Sequence, residues 1–216
     1  MYSVEYSRDA LRALIRLPRP ARELIRAKID EMALAPAESQ NVKALVGRPG
    51  YRLRVGDWRV IFVIDAGRVL VRVLQIGSRG GVSRGCLQMS DIVAIEQIRV
   101  IEEDGKPAFY VLPASLWERV RDAVEDAQDV AAYDRAKAED DGARFPSAVV
   151  YAIVEGATPL RAWRELRGMT LQALADAAGV SKPYVSQIEH GKRTGSAATL
   201  ARLAEALDVG LEVLVV

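Results

Sequence analysis

Residues 171–193 read LQALADAAGVSKPYVSQIEHGKR. Thr170 stands ahead of this stretch as a helix N-cap, and Leu171, Leu174, Ala175 and Ala178 recur behind it at helical spacing. Gly179 can enter left-handed backbone without a steric penalty, so the helix should end there in a tight turn. Ser181 then caps a second helix through Val185 and Ile188, which Gly191 ends. The spacing of Ala175, Gly179 and Val185 decides the fold. A small alanine lets two helices cross closely, the glycine makes the turn, and the valine packs beneath. This predicts a helix-turn-helix, with its second helix placed for a major groove.

Working outward, Thr158-Pro159 opens an earlier helix with a threonine cap and proline at its first position. Leu160, Trp163 and Leu166 follow, and Gly168 stops it. A further helix is expected over Ala197–Leu207. Leu211, Val213 and Val215 suggest a short apolar strand, available for a dimer or an intramolecular contact. His190 reads as an exposed turn residue.

Over residues 158–210 the sequence strongly resembles the Xre/Cro repressor family. The resemblance implies operator DNA as a partner. It places Ser181, Lys182, Pro183 and Gln187 at the start or outer face of the recognition helix. Gln187 and Lys182 are the expected base-edge contacts, since glutamine pairs with adenine and lysine with guanine. Tyr184 is assigned to a phosphate or a thymine methyl group, and Lys192 and Arg193 to phosphates, as are the hydroxyls of Thr170 and Ser181. Leu171 departs from the family, which often has a phosphate-contacting glutamine there; here Gln172 is next door. The competing reading is a helical packing domain without DNA contact.

The N-terminal part has a different pattern. Tyr2 to Tyr6 alternates like a strand, and Ser7 caps a helix with Leu11, Leu14 and Ile15 on one face. Pro18 and Pro20 break it, and a second helix carries Leu24, Ile25, Ile29 and Met32, ending near Pro36. Strand-like runs follow from Tyr51, Trp58 and Val69, with turns at Gly56-Asp57 and at Asp65-Ala66-Gly67. The expected order is β-α-α-β-β-β. Period-two alternation puts Arg52 and Arg54 on one strand face, and Arg59 opposite Trp58, Val60, Phe62 and Ile64. Arg79 follows the last strand. Such guanidinium groups either bind nucleic-acid phosphates, with no metal required, or form a solvated charged face.

GRPGYRLRVGDWRVIFVID with VLQIGSR after it resembles the RelE/ParE toxin superfamily, specifically its RelE branch, over about residues 1–84. RelE-type toxins cut mRNA in the ribosomal A site, with a 2′-hydroxyl as nucleophile and basic side chains around the scissile phosphate. The resemblance implies ribosome-bound mRNA as a partner and Arg52, Arg54 and Arg59 as phosphate-stabilising cations. Arg79 would stabilise the phosphate or assist the leaving group. Family members often end G-H/K-R-x-x-V-Y, whereas Gly77 to Ser83 here puts serine where the tyrosine is expected. Serine cannot stack on a base and is a poor acid or base near neutral pH, so an attenuated or inactive module is expected.

The total charge of +1 conceals an asymmetry. Residues 1–88 hold 16 basic and 8 acidic side chains, residues 89–157 hold 7 and 15, and residues 158–216 hold 7 and 6. A basic module and an acidic segment that could cover it is one reading; two ordinary domains is the other. Met89-Ser90-Asp91 looks like a second translation start directly after a toxin-like end, as in two genes joined in frame. Ile98–Ile101 and Ala108–Leu112 suggest a hairpin around Glu103–Lys106, and Pro113 opens a helix with Trp117, Val120 and Val124. Its polar continuation from Glu118 to Asp141 has a narrow apolar stripe of Val120, Val124, Ala127, Ala131 and Tyr133. Such a helix is marginal alone and suits docking on the basic module, or serves as a solvated linker. The hairpin plus helix loosely resembles the Phd/YefM type of antitoxin.

The expected architecture is therefore α+β: an N-terminal RelE-like module (1–88), an acidic toxin-neutralising hairpin-plus-helix segment (89–157) and an all-α helix-turn-helix domain (158–216). The resemblances together imply a fused type II toxin–antitoxin protein that binds its operator as a homodimer and represses its own operon, with an intramolecular or intermolecular toxin–antitoxin contact. The alternatives are a repressor carrying an inactive toxin remnant and a ParE-like gyrase inhibitor with its antitoxin. One cysteine excludes an internal disulfide, and His190 lacks clustered metal-ligating partners, so neither metal nor cofactor is expected. No signal-peptide core or membrane span is legible, so a cytoplasmic location is expected.

Overall fold

The computed structural model describes residues 2–36, 39, 41–68, 70–78 and 98–215. Arg79, Ser83 and Met89 lie outside the described residues. The chain is α+β, with an N-terminal sheet domain and a C-terminal helical domain.

Strand β1 (Ser3–Tyr6) leads into α1 (Arg8–Arg16) and α2 (Arg19–Met32). The Ser7 side chain caps α1 by accepting from the Ala10 backbone N–H. Helix α1 buries Ala10, Leu11 and Leu14, and α2 buries Ile25, Ile29 and Met32. Ile15 and Leu24, expected inward, are exposed, because each helix touches the sheet through one narrow stripe. The expected three further strands are β3 (Tyr51–Val55), β4 (Trp58–Asp65) and β5 (Leu70–Ser78), and a short β2 (Val42–Ala44) precedes them. Strand β2 pairs with β3 through Val42–Leu53, Lys43–Arg52 and Ala44–Tyr51.

The sheet order is β2-β3-β4-β5-β1-β8, where β8 is Phe145–Pro146. Strand β1 runs parallel to β5, and the other pairings are antiparallel. A register shift between Ile61 and Phe62 marks a bulge in β4 against β5. One face of the sheet buries Leu53, Val55, Val60, Phe62, Val71 and Val73 in the core that holds α1 and α2. The other face presents Leu45, Ile61 and Leu74 to Tyr133 and Ala136. Those two residues belong to α3 (Ala114–Ala138), so the sheet is sandwiched between helical layers.

A separate hairpin, β6 (Arg99–Glu103) and β7 (Lys106–Val111), precedes α3. Asp104 and Gly105 both have positive φ, the two-residue geometry that suits strand twist. After α3, β8 joins the edge of the N-terminal sheet beside β1, and α4 (Ser147–Val154) packs on β1 and α1. The buried Phe145, Val149 and Val150 join the sheet core to that of the C-terminal helices. Those helices are α5 (Pro159–Leu166), α6 (Leu171–Ala178), α7 (Lys182–Glu189) and α8 (Ala197–Ala206). The expected terminal strand is instead a 3-10 turn at Leu211–Val213. Val213 and Leu214 close the helical core there, and no neighbouring strand is available to pair with. The Arg8 guanidinium binds the backbone carbonyls of Glu212 and of Val215, the latter at 2.7 Å.

Candidate functional sites: a covered arginine face and a recognition helix

Strand register brings three of the four predicted phosphate-binding arginines together. Arg54 lies opposite Arg59 and Arg52 opposite Ile61 across β3 and β4, on the face away from α1 and α2. Arg79 lies outside the described residues. The face is not solvated: Arg52 and Arg59 are buried, and Arg54 is partly exposed.

What covers them is α3. Asp129, fully buried, accepts from Arg52 at 2.6 Å with one carboxylate oxygen and from Arg59 at 2.8 Å with the other. Glu125 pairs with Arg54. Asp126 lies 2.7 Å from Lys43 and 3.5 Å from Arg52, and Gln128 accepts from Arg59 at 3.3 Å. Further along, Asp134 takes a two-pronged contact from Arg48 at 2.6 and 2.7 Å. That hydrogen bonding holds the Asp134 carboxyl below the usual carboxylate range. Two charges removed from water need this double pairing, because a buried guanidinium without a carboxylate is costly.

The inward stripe of α3 therefore differs from the expected one. Leu116, Glu125, Asp129, Tyr133 and Ala136 are buried, whereas Ala127 and Ala131 are exposed. Apolar periodicity misplaces the helix by part of a turn, because two of its inward residues are acids facing buried arginines. Glu125, Asp126, Asp129 and Asp134 were missed as site residues. The available signal was their own spacing: 125, 129 and 133 repeat every four residues, as one face of a helix does.

The loop before β3 explains the close approach of this helix. A Cβ on Gly50 would lie 2.8 Å from the Tyr133 ring and 3.1 Å from Leu45 Cδ1. Gly50→Ala is expected to displace Tyr133 and destabilise the full chain by about 1–3 kcal/mol, as overpacking does. Gly47 serves as a comparison of another kind, since its φ is +67° with nothing within 4 Å of an added Cβ. Urea denaturation of Gly50→Ala, with hydrogen exchange of α3 amides, measures the effect. Unchanged stability and unchanged α3 exchange would contradict the close contact.

A second clamp lies on the opposite face. Tyr151 of α4 donates to Asp30 of α2 at 2.6 Å, and its ring lies under the Arg26 guanidinium at 3.8 Å. Burial, with the Asp30 hydrogen bond, raises the Tyr151 phenol well above its ordinary value, so it stays a donor. Among the described residues, no group of three or more His, Cys, Asp or Glu could hold a metal ion. No described helix is long and apolar enough to cross a membrane.

In the C-terminal domain, Gly179 has φ 62° and ψ 39° and ends α6 in left-handed backbone. Ala175 and Val185 are completely buried where α6 and α7 cross. Thr170 caps α6 by accepting from Ala173 at 3.1 Å. Ser181 occupies the N-cap of α7, but its side chain makes no capping hydrogen bond. Its hydroxyl is thus not committed to the helix end. Ser181, Lys182, Pro183 and Gln187 are exposed, and Tyr184 is half-buried. Lys192 and Arg193 follow on the exposed turn, with the Arg193 guanidinium 5.4 Å above the Tyr184 ring. His190 is exposed in that turn, with Nδ1 2.7 Å from the Ser186 carbonyl. Leu171 packs against the core, and Gln172 bonds Asp176 at 2.8 Å. The helix is anchored from behind, where buried Glu189 accepts two bonds from Arg164 at 2.6 and 3.0 Å. That hydrogen bonding raises the Arg164 pKa further, so the pair stays ionised.

Comparison with known proteins divides the chain in the same way. Residues 4–82 match the family described as the ParE toxin of the type II toxin-antitoxin system parDE, and residues 160–214 match the helix-turn-helix family. Uncharacterized HTH-type transcriptional regulators from two strains of Mycobacterium tuberculosis are 46% identical over 57 residues, covering 26% of this chain. The chain spans 41% of the length of these relatives. Among solved structures, the restriction-modification controller protein C.AhdI from Aeromonas hydrophila is 33% identical, with 26% of this chain and 86% of that one covered at a TM-score of 0.26. The archaeal RelE-RelB complex from Pyrococcus horikoshii is 26% identical, with 37% and 96% covered at a TM-score of 0.34.

Proposed function

Because the chain joins a RelE/ParE-superfamily domain to a C-terminal Xre-type helix-turn-helix domain, we propose that it is a fused type II toxin–antitoxin protein. Residues 1–88 are its toxin module, residues 89–157 the neutralising segment, and residues 158–216 the DNA-binding domain. The observation that carries this reading is Asp129 inserted between Arg52 and Arg59. Each carboxylate of α3 takes the place that a phosphate oxygen of RNA would take on the arginine face. Arg52, Arg54, Arg59 and Arg79 would stabilise the pentavalent phosphate formed when a ribose 2′-oxygen attacks phosphorus in ribosome-bound mRNA. The helix makes the same face unavailable while it is docked.

In the DNA-binding domain Lys182 and Gln187 read base edges, and Pro183 starts the helix that carries them. Thr170, Ser181, Tyr184, Lys192 and Arg193 hold the DNA backbone. Binding the operator of its own operon gives autoregulation. A second reading, inhibition of DNA gyrase, is favoured by the ParE description of the family matched by residues 4–82.

Expression of residues 1–88 in cells, with and without residues 89–216 supplied separately, tests the proposal. Growth arrest with mRNA cleavage, relieved by the second fragment, is expected. The serine at position 83 predicts weak cleavage, which Ser83→Tyr should strengthen. Arrest with DNA damage would favour the gyrase reading. No effect from either the natural fragment or Ser83→Tyr would leave a repressor carrying a silent remnant.

A further inference from the structure

The β6–β7 hairpin is the one sheet of the described residues that lies against no core. Every residue of both strands is exposed. They include Val100 at 47%, Ile101 at 50%, Phe109 at 63%, Tyr110 at 64% and Val111 at 48%, and Trp117 at the start of α3 is 53% exposed. A two-stranded hairpin is at best marginally stable in water, and an open apolar edge invites further pairing. We propose that this hairpin is the dimerisation surface of the protein and that its occupant is the same hairpin of a second copy, joined edge to edge through β6.

Three observations select a second copy. The first is charge. If β6 pairs antiparallel with its own twofold image about Ile101, Arg99 of each copy faces Glu103 of the other. Inside its own hairpin Arg99 faces only Val111, and Glu103 faces Lys106. The edge is thus self-complementary, as a twofold interface requires. The second is the choice of edge. Strand β7 contains Pro107, which has no N–H to donate, whereas β6 has no proline. The third is area. Burying the six apolar side chains in both copies removes on the order of 1,300 Å², within the range of a stable protein–protein interface.

The pairing forms a four-stranded sheet with Ile101, Phe109 and Val111 on one face and Val100 and Tyr110 on the other, following the register within each hairpin. It joins two copies of α7 in one particle, the arrangement that an operator with two half-sites needs. The surface is separate from the arginine face, so its test needs neither toxin activity nor DNA.

Sedimentation of the full chain over a concentration series is the experiment. The natural protein is expected to be a dimer. Ile101→Lys and Arg99→Glu should each raise the dimer dissociation constant by about tenfold or more. The double variant Arg99→Glu/Glu103→Arg restores opposite charges across the twofold axis and should recover dimerisation. Circular dichroism checks that each variant is folded. The hairpin does not support the main core, so these exposed substitutions leave the fold in place. A protein that is monomeric throughout the series overturns the proposal, including one whose hairpin amides are protected from exchange by its own chain. A dimer indifferent to all three variants overturns it as well.

Discussion

Asp129→Ala is expected to destabilise the folded chain by about 3–5 kcal/mol, the usual consequence of removing one member of a buried charge cluster. Asp129 is the shared partner of Arg52 and Arg59, and all three side chains are buried. Its removal leaves two guanidinium groups with their charges only partly met, Arg52 by Asp126 at 3.5 Å and Arg59 by the neutral Gln128. Either water must enter or α3 must come off. Asp129→Asn keeps the volume and one acceptor, so its effect should be smaller. Asp134→Ala removes a contact of similar length to Arg48, but that pair is exposed and screened, and its effect should be smaller still. Chemical denaturation of the full-length variants gives the ranking, and hydrogen exchange locates the opening. If Asp129→Ala and Asp134→Ala proved alike, the buried cluster would not be what holds α3 on the sheet. On the functional proposal, Asp129→Ala should also expose the arginine face.

Gln187→Ala is expected to weaken operator binding by about 5- to 150-fold, the 1–3 kcal/mol of a good base-edge contact. Its effect should be confined to the operator, with little change on unrelated DNA. Lys192→Ala should behave differently. A phosphate contact carries no sequence information, so its loss weakens all DNA alike and makes the salt dependence shallower by about one unit of slope. Both side chains are exposed, so the thermal stability of the domain should not change. Titrations of each variant on operator and unrelated duplexes, at several salt concentrations, separate the two roles. An equal loss on both duplexes for Gln187→Ala would remove it from base reading.

The two sites differ in how far they could be read from the chain. The helix-turn-helix is legible because its determinants are local. Thr170 caps, Gly179 turns and Ala175 lets the helices cross, all within one short stretch. The arginine face is half legible. Period two places Arg52 and Arg54 together, but their meeting with Arg59 depends on the register of β3 against β4. The covering helix is the least legible. A search for apolar spacing selects Ala127 and Ala131, which face solvent, and passes over Glu125 and Asp129, which face inward. Such spacing assumes that a buried face is apolar, and that fails where buried charges meet their opposites.

The sequence by itself therefore determined the α+β plan, the helix-turn-helix and the opposition of a basic module to an acidic segment. These rest on backbone preference, short-range spacing and composition. Only the tertiary structure decided that the acids of α3 sit on Arg52, Arg54 and Arg59, and that Phe145 and α4 complete the edge beside β1. It also left the β6–β7 hairpin uncovered. Each of these depends on which surfaces meet across long stretches of chain. That outcome is set by the summed burial and charge of both partners, which no single window of residues contains.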